Sequence, residues 1–171
     1  MTTPSSELYR EIPLTLGQMV IIDVDNWQRF SAYKWQAHWH LRAKTYYVTR
    51  RDNTLPGRPT VWMHREVLGL GRSLKDDPRH GDHINHDGLD CRRESLRVAS
   101  IYENAANKRM RRDNASGFKG VYFHHANRKW IAQVTKGNNQ MYLGTYETPE
   151  EAHYAYQAAA LKLHKQFANL G

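Results

Sequence analysis

Residues 129–135 read Lys-Trp-Ile-Ala-Gln-Val-Thr, and this stretch decides the fold of the C-terminal part of the chain. Trp130, Ala132 and Val134 alternate with a second set of side chains that includes Gln133. Because successive side chains of a β-strand point to opposite faces of its sheet, the alternation predicts a strand that presents these two sets to opposite faces.

Two similar stretches flank this strand, and a helix follows them. Residues 119–124 and 139–145 predict two further strands, separated from the first by turn residues. Thr148-Pro149-Glu150-Glu151 combines a capping box with proline at the first helical position, which predicts the start of a helix. Alanines at helical spacing would let this helix lie close against one face of the sheet. The opposite, open face is predicted to carry Tyr122, His124, Gln133, Thr135, Gln140 and Tyr142.

The composition limits the classes of partner. The chain has 171 residues and a formal net charge of +8, which favours nucleic acid first and an anionic membrane surface second. A membrane is disfavoured because no long apolar run is present. The first residues lack the features of a signal peptide, and the single cysteine, Cys91, excludes an internal disulfide framework. We therefore expect a cytoplasmic protein with no organic cofactor, whose metal, if any, uses His, Asp or Asn.

The chain before residue 100 predicts short strands and one short helix. β-branched and aromatic residues favour a hairpin and two further strands, and an apolar stretch after them favours a strand that passes into a helix. The predicted segments are the hairpin at residues 11–25, the strands at 35–39 and 46–50, and the strand and helix at 60–70.

Residues 82–88, Asp-His-Ile-Asn-His-Asp-Gly, combine groups that bind metals with groups that move protons. His83 suits a general base, because imidazole titrates near neutral pH and can take a proton from an attacking water. A capping box at Ser100 opens a predicted helix that carries Asn104. The Asp82 carboxylate and the Asn104 amide are hard oxygen ligands that could hold Mg²⁺, or another divalent cation such as Mn²⁺, on a phosphodiester.

This region resembles the HNH family of phage and intron-encoded endonucleases, whose active site is a ββα-metal finger. The resemblance rests on Asp82-His83-Ile84-Asn85, on residues 92–97 and on Glu103-Asn104. It implies that the two oxygen ligands bind the metal and that the histidine activates water. The family's middle asparagine, which braces the loop of the finger, falls at Ser95, whose shorter hydroxyl lacks an amide donor pair.

Residues 116 to about 170 resemble the AP2 DNA-binding domain. The motifs that agree in order and spacing are Gly120-Val121-Tyr122, Trp130-Ile131-Ala132, Tyr142-Leu143-Gly144-Thr145-Tyr146, and Glu150-Glu151-Ala152 followed by Ala155, Tyr156 and Ala159. The resemblance implies a three-stranded sheet that enters the major groove, with a face less basic than that of plant members. The implied contact positions are Lys119, Tyr122, His124, Gln133, Thr135, Gln140 and Tyr142, and Arg128 in the adjoining turn completes the predicted DNA-binding set.

We therefore predict an α+β protein with an N-terminal β-rich segment and HNH finger in residues 1–110. A basic linker follows at 111–117, and an AP2-type three-stranded antiparallel sheet packs on one helix in 118–171. Arg111 and Arg112 in the linker would track the DNA backbone, although such a charge run is equally typical of a solvated face. Arg65, Arg93 and Arg97 are open to the same two interpretations.

The predicted function is a metal-dependent, homing-type HNH endonuclease of phage origin that hydrolyses duplex DNA. The alternative is a catalytically inactive, repressor-like DNA-binding protein, which the serine at position 95 favours, and RNA binding is a third class. The sequence leaves open the target site, the choice between a nick and a double-strand break, and the choice between monomer and homodimer.

Overall fold

The computed structural model describes residues 8–111 and 113–171 and divides into two compact units, one ending at Ser100 and the other beginning at Ile101. Within the described ranges, no helix is long and apolar enough to cross a membrane. The elements of the first unit are β1 (Tyr9–Pro13), β2 (Met19–Asp23), α1 (Val24–Ser31), β3 (Gln36–His40), β4 (Thr45–Arg51), β5 (Thr60–Trp62), α2 (Met63–Val67), β6 (His80–His83) and β7 (Leu96–Ala99). Those of the second are α3 (Ile101–Ala106), β8 (Val121–His124), β9 (Lys129–Lys136), β10 (Asn139–Tyr146) and α4 (Pro149–His164).

Three antiparallel sheets build the first unit. β1 pairs with β2, β4 lies between β3 and β5, and β6 pairs with β7. Burial of apolar side chains from all three sheets and from both helices drives their association into a single core. This core contains Ile12, Val20, Ile22, Phe30, Trp35, Val48, Val61, Met63, Val67, Cys91 and Leu96.

The segment between β6 and β7 is anchored to β2 by backbone hydrogen bonds. Ile21 donates to the carbonyl of Leu89 at 3.0 Å, and its own carbonyl accepts from the amide of Cys91 at 2.9 Å. The Cys91 side chain is fully buried, and burial raises the pKa of its thiol. Cys91 is therefore a core residue and the segment is part of the packed unit.

In the second unit, β9 is the central strand between β8 and β10, and α4 covers one face of the sheet. Ala152 and Ala160 of α4 are fully buried, so the small side chains bring the helix close to the strands, as predicted. Thr148 and Glu151 form the predicted capping box, in which the Thr148 hydroxyl accepts from the Glu151 amide at 3.3 Å. The three strands and the helix predicted for this region are confirmed.

Gly120 permits the close packing of α4 on the sheet. Its φ angle is +73°, a region that side chains disfavour, and a Cβ atom at this position would clash with the ring of Tyr156. The Tyr156 hydroxyl donates to the carbonyl of Asn169 at 3.3 Å, and burial raises the pKa of this phenol to about 12.

The helix α3 belongs to the second unit, which places the division at residue 100, whereas the sequence predicted a linker at 111–117. Two side chains account for this. The Lys119 ammonium donates to the carbonyls of Ala106 at 2.8 Å and Lys108 at 2.7 Å, and the Asn169 amide donates to the carbonyl of Asn107 at 2.9 Å. Acceptors left at the end of a helix need such donors.

The expected ββα finger is not shown. The hairpin β6–β7 is present, with Asp82 opposite Arg97 in its register, but it falls in the first unit and α3 falls in the second. The observed class is a mixed α and β fold built from antiparallel sheets.

Candidate functional site

The open face of the C-terminal sheet collects side chains from all three of its strands. Antiparallel register places Gln133 opposite Tyr142 and Thr135 opposite Gln140. Directly opposed residues point to the same side of a sheet, so these four share one face. We use the name open face for the side that α4 does not cover, which carries Tyr122, His124, Lys129, Ile131, Gln133, Thr135, Gln140, Tyr142 and Thr145.

A β-bulge in β10 shapes this face. The register shifts between Tyr142 and Gly144, so that Gly144 lies opposite Ala132 and Thr145 lies opposite Ile131. The extra residue reverses the alternation, which brings Thr145 to the open face beside Tyr142. The two hydroxyl groups of Tyr142 and Thr145 are hydrogen-bonded to each other. Sequence alternation alone missed Thr145, although Gly144 inside the strand is the kind of residue that indicates a bulge.

The aromatic side chains of this face are accessible. Tyr142 is 64% exposed and Tyr122 is 42% exposed, while Ile131 between the strands is buried. His124 lies at the end of β8, where its Nδ1 atom accepts from the amide of Asn127 at 3.3 Å. The face therefore presents aromatic rings, amides and hydroxyls, which can donate and accept hydrogen bonds and also stack.

Basic residues predicted to contact DNA occupy different places. Arg128 is exposed in the turn before β9, with a φ angle of +50°. Lys129 pairs with Glu147 at 2.5 Å. Lys119 does not present its ammonium on the open face, because that group is bound to the carbonyls at the end of α3, and burial lowers its pKa to about 8.

Of the two linker arginines predicted to contact DNA, the structure describes Arg111. Arg111 pairs with Asp113 at 2.6 Å, and both side chains are largely exposed. Arg112 lies outside the described residues. Exposed pairs of this kind contribute little to stability, so Arg111 can exchange its partner for another anion.

In the first unit, His83 and Asp82 are both buried on β6. The Arg97 guanidinium donates to the Asp82 carboxylate at 2.8 Å across the hairpin. Burial lowers the pKa of His83 to about 4 and outweighs the opposing influence of the Asp82 charge, so the imidazole is neutral at physiological pH.

His83 packs in a cluster of rings that the sequence did not reveal. Its ring centroid lies 5.0 Å from that of His64 and 5.5 Å from that of Tyr47, and Trp62 lies 6.1 Å from His64. Burial lowers the pKa of His64 well below its ordinary value. These residues come from β4, β5, α2 and β6, so no spacing in the sequence could have indicated that they meet.

Ser95 binds to a buried carboxylate in the segment that joins β6 to β7. Its hydroxyl donates to Asp90 at 2.7 Å, the Asn85 amide donates to the same carboxylate at 2.8 Å, and Arg92 binds it through two nitrogens at 2.7 and 2.8 Å. Burial would raise the pKa of Asp90, but the hydrogen bonds from Arg92 and Ser95 hold it at about 2. Asp90, which the sequence did not single out, organises this segment, and we name these four residues the Asp90 network.

Arg65 also has a structural partner set. Its guanidinium donates to four backbone carbonyls of the segment after α2, at distances between 2.6 and 3.2 Å. The acceptors are Gly71, Ser73, Asp77 and Arg79. This buried side chain therefore stabilises a loop. Its guanidinium is bound to these carbonyls and does not bind a phosphate in this conformation.

The predicted metal ligands lie in different units. Asp82 is on β6 of the first unit, and Asn104 is on α3 of the second. Across residues 8–111 and 113–171, no cluster of three or more His, Cys, Asp or Glu side chains is arranged to hold a metal ion.

Comparison with known proteins shows a similarity that is confined to part of the second unit. Residues 116–166 match the family model of the AP2 domain. The relatives include the AP2-like ethylene-responsive transcription factors CRL5 of Oryza sativa subsp. japonica, 46% identical over 50 residues, and ANT of Arabidopsis thaliana, also 46% identical over 50 residues. The ethylene-responsive transcription factor WRI1 of Arabidopsis thaliana is 47% identical over 49 residues. Each match covers 28% of this chain and between 8% and 11% of the relative. No solved structure matches the chain.

These relatives correct the functional prediction. The expected HNH endonuclease, its hydrolase activity and its phage origin are wrong, because the family model is that of the AP2 domain and the relatives are transcription factors. The divalent cation stays a prediction that no comparison tests. The stretches that carried that prediction of an endonuclease are short, and the Asp82 carboxylate at their centre is paired with Arg97. Residues 116–166 are the part of the chain that is similar to the AP2 domain.

Proposed function

We propose that this protein binds duplex DNA in a sequence-specific manner through the open face of the C-terminal sheet and thereby regulates transcription. The match of residues 116–166 to the AP2 domain carries the proposal, and the transcription factors among the relatives support its regulatory part.

The open face has suitable chemistry for a DNA groove. A β-ribbon fits the major groove of B-DNA, where each base pair presents its own pattern of donors, acceptors and methyl groups. Gln133, Thr135, Gln140 and Tyr142 offer amides and hydroxyls at this surface, within the accessible part of β9 and β10. Uncharged polar groups on a sheet face suit base edges better than phosphates.

The second unit carries a net positive charge. Residues 101–171 contain ten Lys and Arg against five Asp and Glu. Arg128 and Lys129 lie at one end of the sheet, and the partner of Lys129, Glu147, is 72% exposed at its side chain. An ion pair so exposed is weak, so Lys129 can exchange Glu147 for a phosphate. Binding should therefore weaken as salt rises, through the release of counterions.

A matched pair of tyrosines tests the interface. Tyr142 on the open face is 64% exposed, and Tyr154 on α4 is 71% exposed. We expect Tyr142→Ala, combined with Thr135→Ala, to weaken binding of the full chain to its selected duplex by about 10-fold or more, because large central contacts dominate interface energies. Tyr154→Ala should bind as the unsubstituted protein does.

The measurement is selection from a pool of random duplexes, followed by binding titrations with the enriched sequence. Equal loss in both variants would place the interface elsewhere, and competition by RNA as effective as competition by duplex DNA would reject duplex specificity. A reporter gene with the selected site in its promoter separates repression from activation. No change in its expression would remove the regulatory part of the proposal and leave DNA binding intact.

A further inference from the structure

We infer that Gln133 and Gln140 read adenine, so that the target of this protein contains two A·T base pairs close together. The inference rests on the proposed function and names the base chemistry that the open face selects.

Both glutamines have amides available to a ligand. Gln133 is partly exposed on β9 and Gln140 is exposed on β10. Within residues 8–111 and 113–171, neither side-chain amide is engaged in a hydrogen bond with another protein group. A glutamine amide holds one acceptor and two donor hydrogens, and this set matches the N7 acceptor and N6 donor of adenine in the major groove.

The centre of the open face carries no charge that would favour guanine. Arg and Lys are the usual partners of the guanine O6 and N7 acceptors. The strand cation on this face, Lys129, lies opposite His124 at the end of β8 and pairs with Glu147. Lys119 is bound to the carbonyls of Ala106 and Lys108. The middle of the face contains Tyr122, Ile131, Gln133, Thr135, Gln140, Tyr142 and Thr145.

The register sets the spacing of the two amides. Gln140 lies opposite Thr135, which is two residues along β9 from Gln133, so the two glutamines are diagonal neighbours. Diagonal neighbours on a sheet lie roughly 7–8 Å apart. Base pairs stack at about 3.4 Å, so the amides reach base pairs about two steps apart. Two adenine contacts should therefore fall within about three base pairs.

The environment of the glutamines restrains their side chains. Gln133 lies directly opposite Tyr142 on β10, and Tyr122, which pairs with Ile131, is its diagonal neighbour on β8. Flanking aromatic groups reduce the rotamers that a glutamine can adopt, which lowers the entropy lost on binding. Thr135, next to Gln140, offers a methyl group that can contact the thymine methyl of an A·T pair.

The test is selection of binding sites from random duplexes with the full chain and with its Gln133→Glu and Gln140→Glu variants. Gln28→Glu, at an exposed position of α1, is the matched control. Glutamate keeps the shape of glutamine but only accepts, so it suits the N4 donor of cytosine. We expect each open-face variant to lose adenine preference at one base pair by about 5- to 150-fold and to gain preference for cytosine there. Gln140→Arg should shift the same position to guanine.

The outcomes separate the inference from the proposed function. No enriched duplex with the unsubstituted chain would reject DNA binding itself. An enriched site whose base preferences do not change in either open-face variant would overturn the role of the glutamines and leave DNA binding standing. A G·C pair at the positions that the variants alter would overturn adenine readout. Thermal melts accompany each variant, and exposed Gln140 tests the inference even if Gln133→Glu does not fold.

Discussion

The two units use their polar side chains in opposite ways. In the first unit, Asp90 and Arg65 are buried and bound to neighbouring groups of the same unit. In the second unit, Gln140 and Tyr142 are exposed on a flat sheet face. Buried polar groups that are fully bound hold a loop in one conformation, whereas exposed ones remain available to a partner. A polar motif therefore indicates a binding site only when its surroundings leave it accessible.

This difference explains why one resemblance was confirmed and the other was not. The AP2 resemblance used several motifs spread over a sheet and a helix, and they agree in order with the family model. The endonuclease resemblance used three short stretches, and its central residues Asp82 and His83 are buried, with Asp82 paired to Arg97. Short runs of Asp, His and Arg also occur where a small domain has to brace long loops.

The largest predicted effect is that of Asp90→Ala. Removing this carboxylate leaves Arg92, Asn85 and Ser95 without their common acceptor, and loss of one partner of a buried ion pair costs about 3–5 kcal/mol. We expect the first unit to unfold at lower urea while the C-terminal domain keeps its DNA affinity. Four of the five tryptophans precede residue 100, so tryptophan fluorescence reports mainly on the first unit.

Asp113→Ala is the control for this prediction. Asp113 also pairs with an arginine, but both partners are largely exposed, so its loss should not change the unfolding curve measurably. Identical curves for the two variants would mean that the Asp90 network does not stabilise the first unit.

A smaller loss of stability is predicted for Gly120→Ala. This substitution destabilises the second unit, whereas Asp90→Ala destabilises the first. The new methyl group would clash with the ring of Tyr156, and overpacking of this kind costs about 1–3 kcal/mol. We expect a lower melting temperature for the C-terminal domain and weaker DNA binding on warming, with the first unit unchanged.

Gly137→Ala separates the clash from backbone strain. Gly137 also has a positive φ angle, +63°, but no atom lies within 4 Å of a Cβ built there. Gly137→Ala should therefore lower the stability only through the strain of an alanine in the left-handed conformation, about 1 kcal/mol. A loss at Gly137 as large as that at Gly120 would show that the close approach of α4 is not the cause.

The smallest predicted effect is the loss of stability of the first unit at acidic pH. Burial lowers the pKa of His83 from 6.5 to about 4, and it lowers that of His64 as well. Between these values the unfolded chain binds protons that the folded first unit does not, so its stability is full above about pH 6.5 and falls as the pH drops toward 4. Between pH 6.5 and 5.5 the loss should be on the order of 1 kcal/mol for each histidine.

Urea unfolding at pH 7.5, 6.5 and 5.5 measures this slope, and His64→Gln should reduce it. A first unit whose midpoint is independent of pH across this range would contradict the burial of neutral imidazoles. The C-terminal domain is the internal reference, because its His164, whose pKa is also lowered, is only partly buried.

The sequence predicted the parts of the fold that depend on local patterns. Alternation around Gln133 gave the central strand and its open face, and Thr148 with Glu151 gave the start of α4. The bulge after Tyr142 was missed because the prediction followed strict alternation and did not use Gly144, which can indicate a bulge, and Thr145 was missed with it. The accessible part of the site was therefore largely predictable.

Contacts between distant segments were not predictable. Lys119 was predicted to contact DNA because the AP2 resemblance places a contact position there, but its ammonium reaches carbonyls 11 and 13 residues earlier in the chain. Such long-range pairing depends on the packed structure, and alternation or spacing cannot encode it.

The two hydrogen bonds from the Lys119 ammonium also determine which residues must be included when the C-terminal sheet is fused to another protein. The family match begins at residue 116, which lies after both carbonyl acceptors at Ala106 and Lys108. A fragment cut at that point would leave a half-buried ammonium without its acceptors and would free Asn169 from Asn107. The unit that packs together is thus longer than the segment that matches the family. It begins at residue 101, and the helix α3 is its N-terminal element.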